Sequence, residues 1–191
     1  LGCAAADLLA RAGVGTLTLI DRDVVEITNL QRQTLFDEAD ALERTPKALA
    51  AARRLRLVNS SITIEARIAD FSARNWRSLL TVPDMTAGGS SAAGPDHRPT
   101  PLLLDGSDNY ETRYLLNDIS VSLGVPYLYA GVIACRGMAA AFVPGGPCLR
   151  CVFPDAPAPG SQPTCDTAGV LGPAVAAGML MVSNLPAKQG R

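Results

Sequence analysis

The amino-acid sequence predicts an α/β fold with a doubly wound, mostly parallel sheet that carries helices on both faces. Short apolar runs alternate with helical patterns along the chain, and this alternation is typical of parallel sheets. The 191 residues and their 48% apolar content suit one packed domain over 1–191. Glycines follow the first helical pattern and the long helix near position 124, where they would end a helix.

The elements follow from local patterns. Thr45 and Pro46 read as the N-cap and the first residue of a helix, because Pro lacks the N–H that a first turn leaves unbonded. Gly124 is expected to end another helix. In chain order, we predict a helix over 3–12, a strand over 16–21, a helix from 45 to about 59, a strand over 62–68 and a helix over 72–80. Residues 101–109 are predicted as a buried strand that runs into an acidic turn, followed by a helix over 110–124, a strand over 125–131 and a sheet extension over 136–143.

Bulk composition excludes several classes of protein. The net charge is -1, with 17 basic and 18 acidic side chains, and only 5% of residues are aromatic, so a nucleic-acid surface is not expected. No basic leader and no apolar run of about 18 residues is present, which favours a cytoplasmic protein without a membrane span. Both ends look cut, and we expect a piece of a longer protein.

A Gly-, Ser- and Pro-rich stretch over 86–101 predicts a flexible insertion. The only histidine, His97, lies inside it. Flexible loops rarely hold fixed geometry, so no role is assigned to His97.

The first half carries the pattern of a nucleotide site. Gly2 opens an alanine-rich helix, as a phosphate-binding turn does, although simple packing explains such a glycine equally well. Asp21 ends the next strand, where a carboxylate can accept ribose hydroxyls or can merely cap a turn. Both residues belong to the rim where a doubly wound sheet binds ligands.

More polar residues fall on the same rim. The stretch 28–35, TNLQRQTL, is too polar for a core helix and lacks the Gly and Pro of a linker. Asn29, Arg32 and Gln33 follow Asp21 within this stretch, Lys47 begins the next helix, and Asp108 follows a later strand. Lys47 opposes the helix dipole, which an anion would offset, and Asp108 could hold Mg²⁺.

The five cysteines do not suggest a disulfide framework, since no leader is present. Cys148 and Cys151 stand at Cys-x-x-Cys spacing in a loop over about 146–168, which suits two ligands of a structural Zn²⁺, with two reduced loop cysteines as the alternative. Cys165 precedes an apolar segment and is either a covalent catalyst or a bystander. Cys3 and Cys135 read as small buried residues.

These blocks resemble the ThiF/MoeB/HesA family, the bacterial relatives of ubiquitin-activating enzymes. The resemblance covers nearly the whole chain except 86–101, and its blocks come in the family's order: LGCAAADLLARAGVGTLTLIDRDVVEITNLQRQTLF, PKALAAARRL, LDGSDNYETRYLLND, CLRC and TCDTAGVLGPAVAAG. It implies a Rossmann-like fold and an adenylyltransferase that uses ATP and Mg²⁺. The partner would be a ubiquitin-like sulfur-carrier protein (ThiS- or MoaD-like, for thiamine or molybdopterin), whose terminal glycine carboxylate becomes an acyl-adenylate.

The resemblance also implies roles for single residues. Asp21 would bind the ribose and Lys47 would stabilise the transition state. Asp108, with Asn109, would hold Mg²⁺ or the adenylate, and Arg32 would contact the phosphates. The full set of expected ATP-binding residues is Gly2, Asp21, Thr28, Asn29, Leu30, Gln31, Arg32, Gln33, Lys47, Asp108 and Asn109, with Arg32, Lys47, Asp108 and Cys165 as catalytic residues.

The family adds two further expectations. A second Cys-x-x-Cys beyond this chain would complete the zinc site of Cys148 and Cys151, and members are usually homodimers. Two alternatives stay open. A dinucleotide-binding oxidoreductase shares the glycine turn and Asp21 but does not explain Arg32 or Lys47, and an inactive scaffold would not need the polar rim.

Overall fold

The computed structural model describes residues 1–80 and 101–158 together with position 172. The predicted insertion over 86–101, with His97, falls almost wholly outside the described residues, and Cys165 falls outside them too. The strands are β1 (Thr16–Ile20), β2 (Thr63–Arg67), β3 (Leu103–Leu104), β4 (Tyr127–Ile133) and β5 (Arg136–Phe142). The helices are α1 (Gly2–Arg11), α2 (Glu38–Leu42), α3 (Lys47–Val58), α4 (Trp76–Leu79), α5 (Tyr110–Leu123) and α6 (Leu149–Val152), with a 3₁₀ turn over Ile27–Asn29.

The strands pair in two groups. β1 lies parallel to β2, with Thr16 opposite Thr63 and Ile20 opposite Arg67. β3 lies parallel to β4, and β4 pairs with β5 in an antiparallel hairpin. The α/β class and the mostly parallel arrangement that the sequence predicts are therefore confirmed, with β5 as the antiparallel extension.

Helix α1 contacts both groups of strands. Ala6 and Ala10 belong to one apolar cluster with Leu17 and Leu19 of β1. Ala5, on another side of the helix, packs with Leu128 and Ala130 of β4. Alanine side chains let a helix backbone approach its neighbours closely, so the AAA run places α1 against the two groups of strands at once.

Two apolar clusters form most of the core. In the first half of the chain, Leu55 of α3 is fully buried and packs with Ile64 of β2. In the second half, Tyr127 of β4 is fully buried, its ring stacks on Phe142 at 5.7 Å, and both pack with Ile119 of α5. These contacts hold a helix against the strands in each half.

Helix α5 begins and ends where its sequence signals lie. The Asn109 side chain accepts a hydrogen bond from the Thr112 N–H at 2.8 Å, which satisfies a donor of the first turn. Gly124 ends the helix in the left-handed conformation, with φ of 63°. An L side chain is strained at that φ, so glycine is the natural residue there.

Two predicted boundaries are wrong. Helix α3 begins at Lys47, with Pro46 in the N-cap position and no side-chain cap from Thr45, whose carbonyl accepts a hydrogen bond from the Val25 N–H instead. The helix predicted over 72–80 is confined to Trp76–Leu79. Within 101–109, the strand covers Leu103–Leu104 and then gives way to the predicted acidic turn, which begins where the Asp105 carboxylate bonds to Ser107. Over residues 1–80 and 101–158, no helix is both long and apolar enough to cross a membrane.

Candidate active site

The candidate site lies where the N-terminus of α1 meets the turn that follows β3. A methyl group on Gly106 would lie 3.1 Å from the Gly2 Cα and 3.4 Å from the Gly2 nitrogen. The approach is tight at Gly106, whereas a methyl group on Gly2 would lie at an ordinary contact distance of 3.9 Å from the Gly106 Cα. The contact brings the positive end of the α1 dipole to the carboxyl end of β3, where an anion would be stabilised.

Asp21 follows β1 and is half-buried on this rim. Its Oδ1 atom accepts a hydrogen bond from the Asp23 N–H at 2.8 Å. Burial raises the pKa of Asp21, while that hydrogen bond and the charge of Lys47 oppose the rise, and the charges of Asp23 and Asp108 add to it. Charged groups that follow β1, begin α3 and end the β3 turn therefore all influence Asp21.

Lys47 is bound to Asp23 in two ways. Its backbone N–H donates to the Asp23 carbonyl at 2.8 Å, and its ammonium Nζ lies 3.2 Å from the Asp23 carboxylate. Only 15% of the Lys47 side chain is exposed, against 57% for Asp23. The lysine is thus held on the rim by a carboxylate that itself faces solvent.

The polar stretch 28–35 forms a compact wall made of turns. Arg32 donates from Nη1 to the Thr28 carbonyl at 3.1 Å, and the buried Asn29 accepts the Glu26 N–H at 3.3 Å through its side chain. Leu35 is buried with the α1 and α3 cluster, and Leu30 packs on the neighbouring cluster around Val25. We call residues 28–35 the polar wall, and its two leucines anchor it on these clusters.

Position 172 touches this polar wall. A methyl group on Gly172 would lie 3.1 Å from the Gln31 carbonyl oxygen and 3.8 Å from the Arg32 Cβ atom. A side chain at this position would therefore be crowded against the polar wall. A distant part of the chain thereby borders the backbone that carries Arg32.

The acidic turn over 105–109 is built on a buried carboxylate. Asp105 is fully buried, and its Oδ1 atom accepts hydrogen bonds from the Ser107 N–H at 2.8 Å and from the Ser107 hydroxyl at 2.6 Å. Burial raises the pKa of Asp105, and the Ser107 hydrogen bonds oppose this rise. Asp108 and Asn109 are exposed at the end of the turn. The turn thus combines a rigid interior with a carboxylate available to a cation.

Sequence reasoning did not single out Asp23, Asp105 or Arg113. Asp105 directly follows the apolar run LLL, and a carboxylate in that position is a signal of a buried polar group. Arg113 lies four residues after Asn109, one helical turn along α5. The partner of Lys47 had no such signal, since Asp23 is 24 residues away in the chain.

The side chains of Cys148 and Cys151 are neighbours in the first turn of α6, where Cys148 is the N-cap residue. Their sulfur atoms lie 3.7 Å apart, close to the ~3.8 Å expected when two sulfurs each bind one tetrahedral Zn²⁺ at about 2.3 Å. Burial opposes ionisation of Cys148, but hydrogen bonds from the Cys151 amide and side chain outweigh it and lower its pKa. Among residues 1–80, 101–158 and 172, no three His, Cys, Asp or Glu side chains cluster as a complete metal site.

The segment that carries the two cysteines is hydrogen-bonded to α5. The buried Leu149 N–H donates to the Asn117 side chain at 2.8 Å, and Arg150 makes two hydrogen bonds of 2.8 Å to Asp118. These contacts hold the loop after β5 against α5, the helix that directly follows the acidic turn. Of the other cysteines, Cys135 is exposed in the β4–β5 turn rather than buried, so that prediction is wrong. Cys3 is mostly buried, and burial raises its pKa to about 11.

Comparisons with known proteins identify the family of the chain. A model of the ThiF family matches residues 1–186. The sulfur carrier protein ThiS adenylyltransferase of Bacillus subtilis is 40% identical over 92% of this chain and 47% of its own length. The SAMP-activating enzyme E1 of Haloferax volcanii is 40% identical over 90% of this chain and 57% of its own length.

Solved structures share the fold. Escherichia coli MccB, solved with ATP, superposes with a TM-score of 0.72 at 21% identity, over 95% of this chain and 50% of that one. PaaA superposes with a TM-score of 0.67 at 18% identity, over 96% of this chain and 58% of its own. The chain spans about half the length of the relatives it matches. The match to nearly every residue and the order of the motifs show that the chain belongs to the ThiF family.

Proposed function

We propose that the protein is an ATP-dependent adenylyltransferase that activates the C-terminal carboxylate of a ubiquitin-like sulfur-carrier protein. The observation that carries the proposal is the electrostatic grouping of Asp21, Lys47 and Asp108 on one rim, beside the N-terminus of α1. The names of two relatives, a ThiS adenylyltransferase and a SAMP-activating enzyme, support the same reaction. Because the chain spans about half of each relative, the activity is proposed for the protein to which this domain contributes.

The reaction joins two anions. A carboxylate oxygen of the carrier's terminal glycine attacks the α-phosphorus of ATP. The bond from that phosphorus to the bridging oxygen of the β-phosphate breaks, and pyrophosphate leaves with its electron pair, so that an acyl-adenylate remains. Preorganised positive charge is needed where negative charge develops, since the two reactants repel each other.

Ribose and phosphates are assigned to opposite parts of the rim. Asp21, a half-buried carboxylate after β1, is the residue that we assign to the ribose hydroxyls. The polar wall, with Thr28, Asn29, Leu30, Gln31 and Gln33, lines the nucleotide. Arg32 faces the phosphates, where its guanidinium can bind two oxygens at once, and Gly2 admits the phosphates to the first turn of α1.

Lys47 is the cation assigned to the transition state. Its ammonium is already held by Asp23 before any ligand is bound, so little reorganisation is required when charge develops on the phosphate. The pairing also offsets the unfavourable interaction between a lysine and the positive end of the α3 dipole. The sequence pointed to an anion at this position, and Asp23 is one such anion.

Mg²⁺ is assigned to Asp108 and Asn109. Both are exposed at the end of the acidic turn, and carboxylate and amide oxygens are ligands that Mg²⁺ accepts together with substrate phosphates. The metal would neutralise phosphate charge. The exposed position of Asp108 fits a cation shared with a bound nucleotide better than a closed protein cage.

Zn²⁺ is assigned to Cys148 and Cys151. The sulfur separation of 3.7 Å and the lowered pKa of Cys148 suit two thiolate ligands of one metal. Zn²⁺ would stabilise the fold of the loop, and a second pair of ligands is needed to close the site. Cys165 is proposed as the residue that links covalently to the carrier, and a homodimer is proposed as the assembly.

The test is carrier-dependent exchange between ATP and pyrophosphate. Lys47→Ala and Asp108→Ala are each expected to lower the exchange rate by about a hundredfold to a thousandfold, the usual effect of losing one preorganised contact. Arg54→Ala is the matched control, because Arg54 is an exposed cation on the same helix as Lys47. It should leave the exchange rate unchanged.

The outcome separates this function from the alternatives. Normal exchange in Lys47→Ala or Asp108→Ala protein with native circular dichroism would overturn the proposal. Absence of exchange in the wild type, combined with saturable binding of NAD, would favour an oxidoreductase instead. Carriers of the thiamine and molybdopterin type, assayed separately, identify the partner.

A further inference from the structure

Arg113, on α5, contacts the acidic turn that carries Asp108. It lies in the first turn of α5, and its side chain is 11% exposed. Its Nη2 atom donates to the Ser107 carbonyl at 3.3 Å, and its Nε atom lies 3.5 Å from the carboxylate of Asp105. The guanidinium therefore contacts both the base of the acidic turn and its middle.

Two aromatic rings restrict the guanidinium. Its central carbon lies 5.1 Å from the ring centroid of Tyr110 on α5 and 5.2 Å from that of Tyr129 on β4. A cation over an aromatic face is favoured by the ring's charge distribution, and more so when both are desolvated. Arg113 is thus fixed between the helix that follows the turn and the strand next to β3.

The Asp105 carboxylate completes the arrangement. Its Oδ1 atom is used by Ser107, while its Oδ2 atom accepts a hydrogen bond from the Tyr127 hydroxyl at 3.0 Å and faces Arg113. Strand β4, the acidic turn and α5 are thereby joined through one buried carboxylate and one guanidinium. Asp108 and Asn109 are the exposed members of the turn.

The ion pair is not optimised for stability. Within the described part of the chain, the buried Nε of Arg113 makes no hydrogen bond. Leaving a buried donor unbonded costs about 1–3 kcal/mol. The Nε atom lies 3.5 Å from the Asp105 carboxylate without donating a hydrogen bond to it, because the guanidinium is also oriented by its bond to Ser107 and by the two rings.

We propose that Arg113 is a positioning residue: it holds the acidic turn over 105–109 in the conformation that presents Asp108 to a divalent cation and nucleotide. The role in Mg·ATP binding rests on the proposed function. The role in holding the turn does not, because it concerns contacts within the chain.

The experiment compares Arg113→Lys and Arg113→Gln with the wild type in two measurements. Hydrogen–deuterium exchange of peptides covering 105–112 is measured without ligand. Both variants should exchange faster there, because Lys cannot contact Asp105 and Ser107 together, and Gln also lacks the charge. In the second measurement, the concentration of Mg²⁺ that half-saturates ATP–pyrophosphate exchange should rise about tenfold or more, since a displacement of about 1 Å can cost about a hundredfold.

A matched control separates this role from general stability. Arg77 also stacks on an aromatic ring, with its central carbon 4.3 Å from the Trp76 centroid, but it is exposed on α4. Arg77→Gln should change neither measurement. Arg113→Lys is the milder variant, and its melting temperature establishes that the fold persists.

Each result decides the question. Unchanged hydrogen–deuterium exchange over 105–112 in folded Arg113→Gln overturns the positioning role, whatever the result of the ATP–pyrophosphate assay. Faster hydrogen–deuterium exchange over 105–112, together with an unchanged half-saturating concentration of Mg²⁺, overturns the link to Asp108. If the wild type shows no Mg·ATP-dependent activity, the proposed function fails. The hydrogen–deuterium exchange measurement alone then decides whether Arg113 holds the turn.

Discussion

Single residues on the rim are paired with partners that the linear sequence does not indicate. Lys47 is held by Asp23, and the two are 24 residues apart. Asp105 is held by Ser107, Tyr127 and Arg113 at the base of the acidic turn. At the residue scale, therefore, Lys47 and the acidic turn are held in position by two further carboxylates, Asp23 and Asp105.

Asp23→Asn tests whether this preorganisation of Lys47 matters. The substitution removes the ion pair, and a mobile Lys47 should stabilise the transition state less well. We expect exchange of ATP and pyrophosphate to fall by about tenfold, less than the loss of Lys47 itself. Asp7→Asn removes a comparable surface pair with Arg11 on α1 and should have no effect on the rate. Equal rates for Asp23→Asn and the wild type would show that Lys47 needs no partner.

Asp105 predicts a pH dependence of stability. Burial raises its pKa in the folded protein above the ~3.9 of an unfolded chain. The folded state thus holds this proton more tightly, so the stability that Asp105 contributes is fully present below about pH 4 and is lost as pH rises through the folded pKa. Relative to Asp105→Asn, the wild type should therefore lose free energy of unfolding across that window. Urea denaturation at a series of pH values measures it, and a constant difference between the two proteins would contradict the prediction.

At the scale of elements, the site depends on a glycine-to-glycine contact between α1 and the β3 turn. Gly106→Ala would place a methyl group 3.1 Å from the Gly2 Cα atom, so backbone must move. We expect a loss of about 1–3 kcal/mol in the free energy of unfolding, as for other overpacked contacts. Gly15→Ala is the control, because a methyl group there meets nothing within 4 Å. Equal stability for both variants would mean that α1 and the turn separate without cost.

The loop after β5 is tested through its metal. Cys151→Ser should lower the zinc content of the purified protein, since oxygen is a poorer partner than thiolate for this ion. Cys135→Ser is the matched control, because Cys135 is exposed in the β4–β5 turn and is proposed to bind no metal. Zinc is measured by atomic emission after dialysis. Identical zinc content in both variants would remove the assignment of Cys148 and Cys151.

For the molecule as a whole, the site unites groups from both sets of strands. Asp21 follows β1, whereas Asp108 follows β3, and α1 packs on both sets. Mg·ATP that binds across them should stabilise the folded state, by about 2.7 kcal/mol at a hundredfold excess over the dissociation constant. Thermal unfolding should shift upward with Mg·ATP, and the shift should disappear in Asp108→Ala. A shift with NAD and none with Mg·ATP would favour the oxidoreductase alternative.

Local patterns allow much of the fold to be predicted, because they depend on neighbours in the chain. The Asn109 cap and Gly124 mark the ends of α5 within one residue. The start of α3 is wrong for a tertiary reason, because the Thr45 carbonyl bonds to the Val25 N–H instead of capping the helix, and the helix predicted over 72–80 is confined to four residues. Pairing and packing decide how far an element extends, and local propensity decides only where it can begin.

The sequence by itself determined the order of the main helices and strands and the resemblance to the ThiF family, and it supplied the candidate residues of the rim. Periodicity, capping residues and motif spacing are local properties and are readable without a structure. Only the tertiary structure decided which groups meet: Lys47 with Asp23, Arg113 with Asp105 and the rings of Tyr110 and Tyr129, and Gly2 with Gly106. These contacts join residues far apart in the chain or on different elements, and their geometry follows from how the helices pack on the strands rather than from any pattern along the sequence.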